Sequence, residues 1–111
     1  MRKGIVYLYD VKAGIISEDS DGIFRFEYDK EYALRKDALP VSSAMPITAS
    51  IYESDRLFPF FDGLIPEGWL LDVALRNTDI SELDRFSLLL LCCMDCIGAV
   101  SVIPLKEDGD E

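Results

Sequence analysis

Hydrophobic and polar positions alternate in the first third of the chain. Three short apolar runs occupy residues 3–9, 13–17 and 22–28. In the third run Phe24, Phe26 and Tyr28 are separated by charged residues, and this period of two is typical of a half-buried strand. The preceding SEDSDG, residues 17–22, is rich in turn-forming residues and ends in glycine, as hairpin loops do. The pattern predicts a three-stranded antiparallel meander.

The apolar pattern weakens in the middle of the chain. The stretch DKEYALRKDALP, residues 29–40, predicts one short helical turn, and VSSAM, residues 41–45, fits an extended segment between two prolines. Residues 47–54 are predicted to form a loop that leads to Ser54, a candidate N-cap for a short helix through DRLFPFFDGL. The apolar residues in and after this helix are expected to join the core: Phe58, Phe60, Phe61, Leu64 and Ile65.

Helical spacing dominates the second half of the chain. The stretch PEGWLLDVALRNT, residues 66–78, predicts a helix of about two to three turns. The next stretch, DISELDRFSLLLLCCMDC, offers Asp79 or Ser81 as a cap and is apolar almost all round after Phe86. A helix that is apolar on every side is typical of a central position in the core.

A strand and a polar tail are predicted at the end of the chain. Gly98 is expected to end the central helix, and AVSVIPL, residues 99–105, predicts a final strand. These elements predict an α+β fold, with an antiparallel sheet (the N-terminal meander plus the C-terminal strand) and two or three helices packed on it. The 111 residues fit one domain, residues 1–105, followed by an acidic flexible tail, residues 106–111.

The net charge of the chain limits the classes of partner that it is expected to bind. Twenty-one acidic and eleven basic residues give a net charge of −10. Such a field repels nucleic-acid phosphates and anionic membranes, so we expect neither as a direct partner, and it attracts a protein with a basic groove. The longest apolar run, FSLLLLCCM, is far shorter than the ~20 residues of a spanning helix, and the N-terminus lacks a signal-peptide pattern. The sequence therefore predicts a cytoplasmic protein.

Reactive groups are sparse in this sequence. Cys93 and Cys96 have the C-x-x-C spacing of redox and zinc sites, but the chain has three cysteines and no histidine, and a structural zinc site normally needs four ligands. Buried, inert thiols are therefore predicted. Without histidine, Ser-His and Cys-His catalytic pairs are impossible, and the glycines match no phosphate-binding loop. We expect no enzymatic activity, no catalytic residue, no metal and no cofactor.

The only tryptophan lies in FFDGLIPEGWLL, directly after a Pro-Glu-Gly turn. Trp69 can pack onto the sheet from the start of its helix. It can instead project as an anchor for another protein, because tryptophan is enriched at binding hot spots. The sequence leaves both alternatives open.

Two long motifs resemble the N-terminal domain of the HipA-family serine/threonine kinases. FPFFDGLIPEGWLLDVAL, residues 58–75, is similar to the family's FFxxLLPEG element and the helix after it. DRFSLLLLCCMDCIGAVSVIP, residues 84–104, is similar to its DxFxLLxxxxxDxxGAVxxxP element. PVSSAMPI resembles the family's PLSLSLPL segment, and FRFEYDKEYA its early strand and turn. The likeness covers roughly residues 5–104.

The resemblance implies a role without catalysis. A HipA toxin continues into a kinase body, whereas this chain ends seven residues after Pro104, so it resembles a freestanding domain such as HipS, the antitoxin of tripartite HipBST systems. This implies a protein that binds and inhibits a separately encoded HipA-like kinase lacking the domain. The alternative is a structural subunit that completes a split kinase and bridges it to a helix-turn-helix HipB-like antitoxin. The expected partner-binding residues are Pro66, Glu67, Gly68, Trp69 and Leu70.

Overall fold

One antiparallel sheet is the centre of the fold in the computed structural model, which describes residues 2–65, 76, 84–93 and 99–105. In this part of the chain the sheet has five strands: β1 (Arg2–Leu8), β2 (Val11–Glu18), β3 (Phe24–Tyr28), β4 (Tyr52–Ser54) and β5 (Val100–Leu105). They lie side by side in the order β4-β3-β2-β1-β5. The C-terminal strand therefore pairs with the first strand of the chain.

The first three strands form the meander that the alternating pattern predicts. A two-residue turn at Tyr9 and Asp10 joins β1 to β2. Between β2 and β3 the carboxylate of Asp19 accepts hydrogen bonds from the backbone N–H groups of Asp21 (2.9 Å) and Ile23 (3.0 Å). Gly22 in this loop has φ 80°, a conformation that glycine adopts without strain. The hairpin loop predicted over residues 17–22 is confirmed as a loop, but its bounds are residues 19–23, because Ser17 and Glu18 belong to β2.

One face of the sheet carries the core. Its buried strand residues include Val6, Ile16, Phe24, Phe26, Tyr28 and Val102. The polar residues that alternate with the aromatic ones in β3 point to the other face, where Arg25 is half-buried and Glu27 is exposed. The side-chain assignment predicted for this strand is therefore confirmed.

Three short helices are described: α1 (Lys30–Ala33), α2 (Pro59–Asp62) and α3 (Arg85–Cys92). The Phe61 ring of α2 lies 5.5 Å from that of Phe26, and the Phe86 ring of α3 lies 5.9 Å from that of Phe24. Helices on one face of an antiparallel sheet make an α+β fold, and the predicted fold class is confirmed. Burying a phenylalanine stabilises the fold by about 1.5–3 kcal/mol, so these pairs hold α2 and α3 to the sheet.

Three predictions for the middle of the chain are wrong. Residues 52–54 were predicted as loop but form β4, because Tyr52 and Ser54 pair with β3 and the Glu53 carboxylate lies 2.7 Å from Nε of Arg25. Ser54 therefore ends a strand and is no helix cap; α2 begins only at Pro59, whose ring fixes φ at a value suited to the first helical turn. The extended segment predicted for residues 41–45 is a tight turn, closed by the Met45 N–H to the Ser42 carbonyl at 3.0 Å.

The bounds predicted for the central helix are also wrong. Helix α3 is capped by Asp84 rather than by Asp79 or Ser81, because the Asp84 side chain accepts a hydrogen bond from the backbone N–H of Ser87 at 3.2 Å. The helix ends at Cys92, well before Gly98. Its buried character is confirmed by Phe86, Leu88 and Leu89. The helix predicted over residues 66–78 and the tail predicted over residues 106–111 lie outside the described residues, apart from Arg76.

The cap of α3 is tied to the N-terminal strand. The guanidinium of Arg2 donates hydrogen bonds to both carboxylate oxygens of Asp84, at 3.0 and 3.1 Å, and also pairs with Glu18. Desolvation works against the charge of Asp84, but the hydrogen bonds from Arg2 and Ser87 outweigh it and lower the pKa of this carboxyl. The ion pair therefore connects β1, β2 and α3 at one corner of the domain.

We expect this ion pair to make the free energy of unfolding depend on pH in the acid range. Because the folded-state pKa of Asp84 is lowered, its contribution is present above its unfolded pKa of about 3.9 and is lost as the pH falls through the folded value. The Asp84→Asn variant keeps the cap but lacks the charge. Its free energy of unfolding should be lower than that of the wild type near neutral pH, by less than about 1 kcal/mol for so exposed a pair. Urea titrations should show this difference begin to shrink below about pH 4 and vanish only once the pH is below the lowered folded-state pKa.

An exposed carboxylate provides the control for this titration. The side chain of Asp21 makes no ion pair with any other described residue. The Asp21→Asn variant should follow the wild type at every pH. A constant difference between the wild type and Asp84→Asn down to pH 2 would show that the ion pair does not couple Asp84 to stability.

Candidate functional site

The five predicted partner-binding residues, Pro66–Leu70, lie outside the described residues. The structure does describe the segment that leads into them. Ile65, the residue directly before Pro66, is buried, and Leu64 beside it is half-buried. Helix α2 and the three residues after it therefore lead directly to the start of the predicted binding segment.

An open apolar groove lies next to this point. It is called the turn groove here, has a volume of about 350 Å³, and is lined by Leu8, Tyr9, Leu39, Pro40, Val41, Phe60, Leu64, Ala99 and Val100. Of these side chains only that of Tyr9 carries a polar atom. A concave surface of this size and composition is typical of a binding site for apolar groups.

The β1–β2 turn forms one wall of the turn groove. Tyr9 and Asp10 have φ angles of 50° and 65°, and the Tyr9 N–H donates to the Ala99 carbonyl at 2.8 Å. Turns of this kind favour Asn-Gly, because positive φ angles are costly for residues with large side chains. Tyr9 nevertheless occupies the turn with 70% of its surface exposed. The turn thus holds an aromatic ring at the rim of the groove at a conformational cost.

The opposite wall, residues 39–41, is fixed by two tyrosine hydroxyls. The Tyr28 hydroxyl accepts a hydrogen bond from the Val41 N–H at 3.0 Å and donates one to the Met45 carbonyl. Burial raises the pKa of Tyr28, so this hydroxyl keeps the proton that it donates. The Tyr32 hydroxyl bonds both the N–H and the carbonyl of Leu39, at 3.1 and 2.7 Å. This wall is therefore set in place before any partner binds.

Helix α2 supplies the floor of the turn groove. Phe61 is fully buried, and Phe58 and Ile65 are almost fully buried. The predicted core positions of these three residues are therefore confirmed. Phe60 and Leu64 are only half-buried and line the groove, so the expectation that they belong to the core is wrong in part. A four-residue helix can bury one side, and here that side is the one that carries Phe61.

Cys93 lies behind this floor. Cys93 is fully buried at the end of α3, with its sulfur 3.5 Å from the Leu64 carbonyl oxygen, and its predicted burial is confirmed. Cys92 is half-buried, and Cys96 lies outside the described residues. Within the described ranges no cluster of acidic and cysteine side chains has a geometry that could hold a metal ion. No helix in those ranges is long and apolar enough to cross a bilayer.

Comparison with known proteins identifies the family. The family model of the HipA N-terminal domain matches residues 4–103, and the chain therefore belongs to the HipA N-terminal domain family. A solved N-terminal domain of a HipA toxin is 34% identical, with a TM-score of 0.74 over 97% of this chain and 96% of that one. This finding agrees with the resemblance that the two long motifs predicted.

The relatives include proteins of two sizes. A Haemophilus influenzae protein of uncharacterised function is 38% identical over 96% of each chain. A putative kinase of Sinorhizobium fredii, Y4mE, is 29% identical, but this chain covers only 23% of its length. The structure of a Shewanella oneidensis toxin–antitoxin complex of HipA, HipB and operator DNA shares the fold at a TM-score of 0.72, and this chain covers 24% of the matched chain. The domain thus also occurs as about a quarter of larger proteins.

The sequence pattern missed the turn groove as a candidate site. Its exposed members are Tyr9, Leu39 and Pro40. Tyr9 and Leu39 are 30 residues apart in sequence, and their segments meet at one end of the sheet. One local signal was present: Tyr9 and Asp10 separate two strands by two residues, a position where Asn-Gly is the usual choice.

Proposed function

We propose that this chain is a non-catalytic cytoplasmic protein that binds a separately encoded HipA-like kinase and inhibits it. Membership of the HipA N-terminal domain family over residues 4–103 carries the proposal. The two sizes of relative support it, because the same domain accompanies a putative kinase in one protein and makes up nearly the whole of another. The proposed kinase lacks its own copy of the domain, and this chain occupies the corresponding place from outside.

The distribution of charge supports a protein partner with a basic surface. Between residues 66 and 83 the sequence contains one basic residue, Arg76, and four acidic ones: Glu67, Asp72, Asp79 and Glu82. This stretch includes the predicted binding residues. Opposite charges on the two partners speed association and suppress wrong pairings. The kinase surface that receives this stretch is therefore proposed to be rich in lysine and arginine.

The absence of histidine from the sequence supports a role without catalysis. Inhibition would then come from occupancy of the kinase alone. An interface of standard size, ~1,600 Å² in total, is large enough to hold a kinase lobe in an unproductive position or to cover its cleft.

We expect autophosphorylation of the kinase encoded beside this chain to fall as the purified chain is added. Inhibition should be complete near one equivalent, because an inhibitor that acts by occupancy follows complex formation. Phosphate incorporation and gel filtration should be followed on the same mixtures. A stable complex with undiminished autophosphorylation would contradict inhibition while leaving binding intact.

A structural role is the second candidate. The Shewanella oneidensis complex of HipA, HipB and operator DNA favours it, since a chain with this fold is present there in an assembly with a second protein. In this role the chain completes a split kinase and bridges it to a helix-turn-helix HipB-like protein. The ternary complex on gel filtration would then depend on this chain, whereas inhibition needs only the pair with the kinase.

A further inference from the structure

The turn groove collects exposed apolar surface. Among the described residues the large hydrophobic side chains that are exposed are Tyr9, Leu34, Leu39 and Ile51. Two of these four line the groove, Tyr9 at 70% and Leu39 at 54% exposure. Isolated exposed side chains are common on proteins, but a concave apolar patch with exposed rims is typical of an interaction site.

The strained backbone at Tyr9 is not compensated by contacts of its side chain with the described part of the domain. Tyr9 holds φ 50° although Asn or Gly would adopt this angle at lower cost. The hydrogen bond of the turn to Ala99 uses the backbone N–H, which any residue but proline provides. The mostly exposed ring thus gains little from the described fold. Strained residues of this kind cluster at ligand clamps, so an external contact is the natural use of the Tyr9 ring.

One negative charge lies beside the groove. Asp10 is exposed and makes no ion pair with any other described residue. Arg35 and Asp37 lie close to Tyr9 and Leu39 and pair with each other, with Arg35 Nε 3.1 Å from the Asp37 carboxylate. The chain as a whole carries −10. Charge complementarity therefore favours an occupant with a positive side chain next to its apolar part.

We propose that the turn groove is a second docking surface for the partner kinase, separate in sequence from Pro66–Leu70. Its occupant is an apolar segment of the kinase that carries a lysine or arginine. The apolar side chains enter between Tyr9 and Leu39, and the basic group pairs with Asp10. This inference rests on the proposed function, because it assigns a surface to the same partner.

Two exposed leucines provide a matched test. Leu39→Asp places a charge in the groove, and Leu34→Asp makes the same change at an 85% exposed position outside it. The backbone bonds of Leu39 to Tyr32 are retained in the variant. Affinity for the kinase encoded beside this chain should fall about tenfold or more for Leu39→Asp and by less than about twofold for Leu34→Asp. Isothermal titration calorimetry measures both, and thermal unfolding shows that both variants are folded.

A second pair of variants tests the charge. Asp10→Asn keeps a residue that tolerates positive φ, and Asp21→Asn changes an exposed carboxylate in the other hairpin loop. Asp10→Asn should weaken kinase binding about fivefold at low salt, and the loss should shrink as salt is added, since exposed ion pairs are screened. Asp21→Asn should bind like the wild type.

The outcomes separate this inference from the proposed function. If the wild type binds the kinase and Leu39→Asp binds equally well, the turn groove is no docking surface although the proposed function stands. If Leu39→Asp binds the kinase weakly but Asp10→Asn binds it like the wild type at low salt, the proposal that the occupant carries a basic group is wrong. If the folded wild type has no affinity for the kinase, the proposed function fails and the inference fails with it.

Discussion

Replacing Phe61 by alanine is expected to destabilise the domain by about 3–5 kcal/mol. The side chain is fully buried, and its ring lies 5.5 Å from Phe26, 6.4 Å from Phe58 and 5.1 Å from Phe60. The substitution removes the attachment of α2 to the sheet and leaves a cavity that a close-packed core fills only in part. A loss of this size is a large fraction of the 5–15 kcal/mol that stabilises a typical domain. Urea unfolding followed by circular dichroism measures it.

The neighbouring phenylalanine is the matched control. Phe60 lies on the same short helix, but it is half-buried and faces the turn groove. Phe60→Ala should cost about 1 kcal/mol, since less apolar area leaves water when this side chain folds. Equal losses of unfolding free energy for the two variants would mean that Phe61 is not the residue that attaches α2 to the sheet. The comparison also separates a folding defect from a binding defect, because Phe60→Ala should remain folded.

The strands were the part of the fold that the sequence predicted best. In β3 the aromatic residues Phe24, Phe26 and Tyr28 repeat with a period of two, and all three are buried on one face. This pattern is local and is imposed by the geometry of the strand, so it is visible without knowledge of the partners. The same reasoning placed the last strand, whose Val100 and Val102 are buried beside β1.

Elements defined by distant contacts could not be predicted from the pattern. β4 has three residues, and it is a strand because Glu53 and its neighbours meet β3, which lies some 28 residues earlier. Helix α3 begins at Arg85, and its cap Asp84 is bound by Arg2 from the other end of the chain. Propensity alone offered Asp79 or Ser81 as the cap, and neither caps the helix, because the cap at Asp84 is supported by a contact with distant Arg2.

The candidate site shows the same limit more clearly. The motif around Trp69 was visible in sequence because its residues are consecutive. The turn groove was not, because Tyr9, Leu39 and Phe60 come together only when the sheet, the 39–41 segment and α2 have folded. Its lining also consists of ordinary core residue types, and only their exposure distinguishes them. A binding surface made of apolar residues is therefore the kind of site that a sequence conceals best.

Replacing Trp69 by alanine is expected to weaken binding to the kinase by ~2 kcal/mol or more, about thirtyfold in affinity. The reason is that a tryptophan at the centre of an interface fills an apolar pocket and excludes water from the contacts around it. The two alternatives for this residue predict different losses. An interface anchor leaves the free energy of unfolding nearly unchanged, whereas a core tryptophan loses about 3–5 kcal/mol of stability on truncation. Calorimetric titration and urea unfolding of one variant therefore distinguish them.

The single tryptophan allows a direct control on the wild type. Since the chain has no other indole, its fluorescence reports the surroundings of Trp69 alone. An anchor exposed in the free protein should be quenched readily by acrylamide, and Trp69→Phe should restore part of the affinity that alanine loses, because a smaller ring still fills part of the pocket. Blue-shifted, protected emission together with a large loss of stability in Trp69→Ala would place the indole in the core. In that case the proposed contact at residues 66–70 would be wrong, and the turn groove would be left as the proposed kinase-binding surface.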